Sequence, residues 1–160
     1  NPYGTAVWSW GHRNPQGLAW DEDGRLWATE HGRSGIRSGF DELNLIEKGK
    51  NYGWPDIQGS EERDGMVAPL IHYGPATTWA PSGAVYYDGS IFFAGLRGSR
   101  LYEYDIEEDR LREHLADNYG RLRAVSVHED FIYISTSNTD GRGNPVSEDD
   151  RIIRINPDSL

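Results

Sequence analysis

Three stretches of the chain set two runs rich in apolar residues around a short polar turn, on one plan. Gly17-Leu18-Ala19-Trp20 runs through an acidic turn, Asp21-Glu22-Asp23-Gly24, into Arg25-Leu26-Trp27-Ala28-Thr29. Gly83-Ala84-Val85-Tyr86-Tyr87 turns at Asp88-Gly89 into Ser90-Ile91-Phe92-Phe93-Ala94. Arg123-Ala124-Val125-Ser126-Val127 turns at His128-Glu129-Asp130 into Phe131-Ile132-Tyr133-Ile134-Ser135. β-Branched and aromatic runs around a short Asp/Gly/Glu turn predict a β-hairpin in each. A third alternating run follows each hairpin: Glu42-Leu43-Asn44-Leu45-Ile46, then residues 100–106, then Arg151-Ile152-Ile153-Arg154-Ile155. Residues 110–115 are the clearest candidate for a fourth strand.

Repeated antiparallel units of about four strands predict an all-β chain of the β-propeller class. The expected architecture is about three four-stranded antiparallel blades, near residues 11–70, 71–118 and 119–160. A β-sandwich would explain the strands but not the threefold likeness. A propeller closes with at least about four blades, so three blades leave apolar faces to be covered. Either further blades or a second copy of the chain would cover them. Residues 49–80 form a long polar insertion rich in Gly and Pro, and such loops usually carry function or are disordered.

Composition narrows the partners. The net charge is −10, which argues against a nucleic-acid binder that must neutralise phosphates. The acidic triplets at residues 21–23, 107–109 and 148–150 read as solvated turn tips. There are no cysteines, which removes disulfides and thiolate metal sites. No apolar run approaches the length of a membrane span. The chain begins Asn1-Pro2-Tyr3 and its single methionine is Met66, so an N-terminal region is expected to be missing.

Candidate chemistry gathers in the loops. Gly11-His12-Arg13-Asn14-Pro15-Gln16-Gly17 sets a guanidinium fork and an amide on a constrained backbone, for a ligand carboxylate or for tying neighbouring blades together. Asp41, Glu42 and loop carbonyls offer the oxygens of a Ca²⁺ site or form a solvated acid pair. His12 and His31 read as hydrogen-bonded structural residues. Arg97, Arg121 and Arg123 offer cations for a polycarboxylate ligand or are ordinary surface charge. Arg121 and Arg123 are two apart, which in an extended segment puts them on one face.

Taken in order, Gly11-His12-Arg13-Asn14-Pro15-Gln16-Gly17-Leu18-Ala19-Trp20, Thr29-Glu30-His31-Gly32, Asp41-Glu42-Leu43-Asn44, Gly49-Lys50-Asn51-Tyr52-Gly53-Trp54-Pro55 and Ala80-Pro81-Ser82-Gly83 resemble one family. It is that of the soluble pyrroloquinoline quinone (PQQ)-dependent glucose, sorbosone and aldose sugar dehydrogenases, which fold as six-bladed propellers. The resemblance spans nearly the whole chain and about the C-terminal half of the family's domain. It implies that Arg13 and Asn14 contact the quinone and that Thr78 stands at a cofactor-contacting position. It places Arg97 where the family carries a basic residue, often Lys. Arg121 and Arg123 match an Arg-x-Arg pair for the cofactor carboxylates. The carbonyls of Gly32 and Arg33 match the Ca²⁺ that polarises the quinone, and Glu42 with the Tyr52 carbonyl matches a second, structural Ca²⁺.

The resemblance implies an oxidoreductase that turns aldose sugars into lactones. Its general base, a histidine on an earlier blade, lies upstream of this chain, so no catalytic base is expected here. A periplasmic or secreted location goes with the family. Two other readings stay open: a non-catalytic propeller module that binds a protein, and a half-propeller that pairs with itself into a six-bladed ring.

Overall fold

The computed structural model describes residues 4–35, 39–75 and 77–160. Its strands build three antiparallel sheets, each in chain order. The first sheet holds β1 (Pro15–Trp20), β2 (Leu26–Glu30), β3 (Glu42–Ile46) and β4 (Ile71–His72). The second holds β5 (Pro81–Tyr87), β6 (Ser90–Gly95), β7 (Leu101–Asp105) and β8 (Arg110–His114). The third holds β9 (Leu122–His128), β10 (Phe131–Thr136) and β11 (Ile152–Ile155). These are successive propeller blades: the three hairpins form as their paired runs and short turns predict, and residues 110–114 supply the expected fourth strand of the second blade. The third blade has three strands, not four. The first gains its fourth from a two-residue strand inside the insertion, too short to show a period.

The sheets stack through two apolar cores. Trp27, Leu43, Trp79, Ile91, Phe93 and Tyr102 fill the space between the first and second sheets. Phe92, Ala94, Leu101, Leu122, Ile132 and Ile134 fill the space between the second and third. β6 explains the arrangement. Ile91 and Phe93 point to one core, Phe92 and Ala94 to the other, and all six of its residues are buried. A strand covered on both faces has no polar side, hence its unbroken apolar run. β10 is covered on one face and alternates strictly.

The first strands of the blades, β1, β5 and β9, lie side by side. A Cβ on Gly17 of β1 would stand 2.5 Å from the Ser82 carbonyl oxygen and the Ala84 nitrogen of β5. Gly83 of β5 meets Ala124 of β9 in the same way, at 3.1 Å. Hydroxyls stitch the contacts. Thr29 Oγ1 donates to the Ser82 carbonyl at 2.8 Å, and Ser82 Oγ donates to the carbonyls of Ala94 and Leu122 at 3.0 and 3.1 Å. Each first strand also carries a register shift near its start, between Pro15 and Gly17, between Pro81 and Ala84, and beside Leu122.

The acidic turns depart from expectation. Asp21 is buried, not solvated. Its carboxylate accepts the backbone amides of Asp23 and Arg25, the Arg25 guanidinium at 2.6 Å and the Trp27 indole at 2.8 Å. Asp149 and Asp150 likewise bind the loop around them, taking the amides of Val146 and Asn138.

Candidate functional site

The ladders fix which loops meet. Pro15 pairs with Glu30, Pro81 with Gly95 and Leu122 with Thr136. The residues before each first strand therefore emerge at the same end as those after each second strand. That end gathers residues 13–14 and 31–33, 78–80 and 96–97, and 121 and 137–143.

Two buried carboxylates organise it. Glu30, 2% exposed, accepts the backbone amides of Arg13 and Asn14 (the latter at 2.8 Å) and His12 Nδ1 at 3.1 Å. Asp41, also 2% exposed, accepts the Gly32 amide at 2.9 Å, the Ala80 amide at 2.8 Å and the Thr78 hydroxyl. With these donors in place, Asp41 acts as a clamp between the first and second blades and is buried, not a solvated acid. The histidines follow expectation. His12 engages both ring nitrogens, Nε2 with Ser9 Oγ at 2.8 Å and Nδ1 with Glu30, and stacks on Tyr52. His31 holds the Pro81 carbonyl at 2.7 Å through Nε2.

Between the loops lies a cleft of about 430 Å³, lined by Gly32, Arg33, Thr78, Arg97 and Arg121 together with His31, Asp41 and Arg142. Five residues expected to bind cofactor or metal thus share one wall. Arg13 stands beside it, donating to the His31 carbonyl at 3.2 Å and to Ser34 Oγ at 2.7 Å, with its guanidinium over the Trp54 ring. Arg121, 7% exposed, is held by the carbonyls of Ser137 and Leu96 and by Asp140 at 3.0 Å.

Other expected residues lie apart. Asn14 is exposed and accepts from Gln16. Arg123 is exposed and does not share the buried setting of Arg121. The strand slips register beside Leu122, and a bulge breaks the alternation that would have aligned the two arginines.

Glu42 and Tyr52 line a separate small cavity behind the cleft, about 10 Å³, with Arg13, Gly32, Arg33 and Gln58 among its other walls. Burial pushes the Glu42 carboxyl up to about 7; the Asn44 amide opposes the rise and the Glu30 carboxylate, across the strand pair, adds to it. Gln58 Oε1 is buried there without a partner. An under-neutralised carboxylate and an orphan amide oxygen match the donors of a hard cation. Among the described residues no group of three or more His, Cys, Asp or Glu forms a metal cluster, so a cation here would lean on neutral oxygens. At the cleft, the Arg33 carbonyl accepts the Gly39 amide at 3.3 Å, and a Cβ on Gly32 would collide with the Gly39 and Phe40 carbonyl oxygens. The Arg33 and Gly39 carbonyls thus each accept the other's amide. Residues 36–38 of the neighbouring bridge lie outside the described residues.

Sequence reasoning missed Glu30, Asp41 in its clamping role, Asp140 and Arg142. Buried acids look like surface acids in a sequence. For Arg142 the one available signal was its setting between Gly141 and Gly143.

Residues 1–154 match the family model described as Glucose / Sorbosone dehydrogenase. Among solved structures, the PQQ-bound aldose sugar dehydrogenase of Streptomyces coelicolor superposes with a TM-score of 0.85 at 42% identity, over 94% of this chain and 45% of that one. The aldose sugar dehydrogenase YliI of Escherichia coli is 31% identical over 84% of this chain and 42% of its own. Quinoprotein glucose dehydrogenase B of Acinetobacter calcoaceticus is 46% identical over 61 residues, 38% of this chain and 12% of its own. The chain spans less than half the length of each.

Proposed function

The chain belongs to the glucose/sorbosone dehydrogenase family, and from that premise we propose that it forms the cofactor-holding and calcium-holding blades of a PQQ-dependent dehydrogenase oxidising aldose sugars to lactones. The observation that carries this reading is the convergence of Gly32, Arg33, Thr78, Arg97 and Arg121, from three blades, on one cleft. PQQ with Ca²⁺, when bound, supplies the two-electron acceptor for the anomeric C–H bond.

The chain's own part is binding and orientation. Arg97 and Arg121 would take carboxylates, and Arg13 would border the flat ligand. Asp41 fixes Gly32 and Thr78 relative to each other, so the cation side and the ligand side keep one spacing. Glu42, the Tyr52 carbonyl and Gln58 would hold the structural Ca²⁺. As the family resemblance implies, proton removal would fall to a histidine on a blade outside this chain; His12 and His31 are held in structural hydrogen bonds. The partners are the aldose and the remaining blades of a six-bladed ring. A periplasmic or secreted location belongs to the same reading; among the described residues no helix is long and apolar enough to cross a membrane.

Titration of the protein with PQQ and Ca²⁺, followed by tryptophan fluorescence and by aldose-dependent dye reduction, tests this. Calcium-dependent PQQ binding is expected, with dye reduction weak or absent until the other blades are supplied. No PQQ binding at micromolar concentration would favour a protein-binding module instead. Full activity from this chain alone would show that the base lies within it.

A further inference from the structure

After β10 the chain leaves the third blade and folds back over Arg121. Gly141 has φ +81°, in the left-handed region that favours glycine. Gly143 lies so close to the chain beneath it that a Cβ would stand 2.6 Å from Asn138 Cα and 2.9 Å from Arg121 Cδ. Asp140 locks the turn from inside. One carboxylate oxygen takes Arg121 Nη2 and the other takes the Arg142 amide, each at 3.0 Å.

The loop carries Arg142 to a particular place. Beside the 430 Å³ cleft lies a second, polar one of about 460 Å³, and Leu96, Arg97, Arg121 and Arg142 line both. Arg142 therefore stands on the partition between two chambers of one groove. Arg121 is matched by Asp140. Among the described residues the Arg142 guanidinium makes no hydrogen bond or salt bridge, although its backbone is fixed; it shares the charge of Asp140, which is already paired with Arg121. In a chain of net charge −10, which repels anions at a distance, a cation without a salt bridge of its own, fixed at this partition, has the character of a binding group.

We propose that Arg142 is a ligand-binding residue whose guanidinium takes a carboxylate of the ligand in the groove, with Asp140 as the positioning residue that holds it there. The identity of that ligand as the quinone cofactor rests on the function proposed above; its chemical class, a polycarboxylate, follows from the three arginines, Arg97, Arg121 and Arg142, that line both chambers. A guanidinium fork forms two parallel charge-assisted bonds to a carboxylate, which an ammonium cannot reproduce.

The test is equilibrium binding, read by tryptophan fluorescence, of PQQ and separately of benzene-1,3,5-tricarboxylate, to the wild-type protein, Arg142→Ala and Arg142→Lys at low and moderate salt. Arg142→Ala should weaken both ligands by about tenfold to a hundredfold, the scale of a lost charged hydrogen bond. It should also flatten the salt dependence and leave the melting temperature unchanged, because the side chain is exposed. Arg142→Lys should recover part of the affinity and the salt dependence. If the wild type takes the tricarboxylate but not PQQ, and Arg142→Ala loses it, the cofactor reading falls and this inference stands. Equal binding of both anions by wild type and Arg142→Ala overturns the inference, as does a wild type that binds neither.

Discussion

Asp41 joins three donors that belong to two blades, and the whole cleft leans on it. Replacing it with alanine strands the buried Gly32 amide, frees the Thr78 hydroxyl and leaves the Ala80 amide only its 3.1 Å bond to Thr78 Oγ1. Unsatisfied buried donors cost about 1–3 kcal/mol each, so Asp41→Ala should lower stability by about 3 kcal/mol, read as a fall in the urea midpoint. Asp21 gives a pH signature. Burial alone would raise its carboxyl, but hydrogen bonds from the Trp27 indole and the Arg25 amide, with the Arg25 guanidinium, more than offset this and hold it below the ordinary range. Its folded pKa is depressed, so its contribution is present above about pH 4 and fades as the pH falls through the folded value. The stability gap between wild type and Asp21→Asn should accordingly shrink on acidification, as thermal melts at stepped pH would show; a constant gap would contradict it. Neither role was legible in the sequence. An acid in a DEDG turn or beside a glutamate carries no mark of burial, and only the packing of Trp27 or the return of Thr78 creates it.

The strands were far more legible than the clamps. Alternation in β7, β9 and β10 reports a face turned to a core, and a period of two survives without knowledge of the partner. The insertion hid β4, because two residues show no period. The arginine pair was misread for a related reason: a bulge beside Leu122 changes the count that alternation assumes. What the sequence did carry at this scale, without announcing it, is the size of Gly17. β1 and β5 approach so closely there that any side chain must force them apart. Gly17→Ala should destabilise by about 1–3 kcal/mol through overpacking, with the loss visible in chemical denaturation. An unchanged midpoint would mean that the first strands have slack.

At the scale of the molecule, the outer side of the first sheet is covered only in part, by Tyr52 and Val67 of the insertion over Ala28 and Ile46. Leu18 and Trp20 are exposed on that side, Trp20 at 59%, and with Trp8, Leu26, Leu45 and Ile46 they line an apolar groove of about 500 Å³. The S. coelicolor enzyme is more than twice as long as the stretch it shares with this chain. The isolated 160-residue chain should therefore self-associate, and Leu18→Ser with Trp20→Ser should reduce that in sedimentation velocity; a monomer in both would speak against an open blade face. The hydroxyl stitches bear on time as well as on shape. Thr29 bonds to the Ser82 carbonyl, and Ser82 in turn to the Leu122 carbonyl, so three blades are tied at their innermost strands. Blades joined this way should move as one body, so binding in the groove they frame should need no closing step. Association should then follow a single exponential whose rate rises linearly with ligand concentration and falls with salt, with no lag from a closing step.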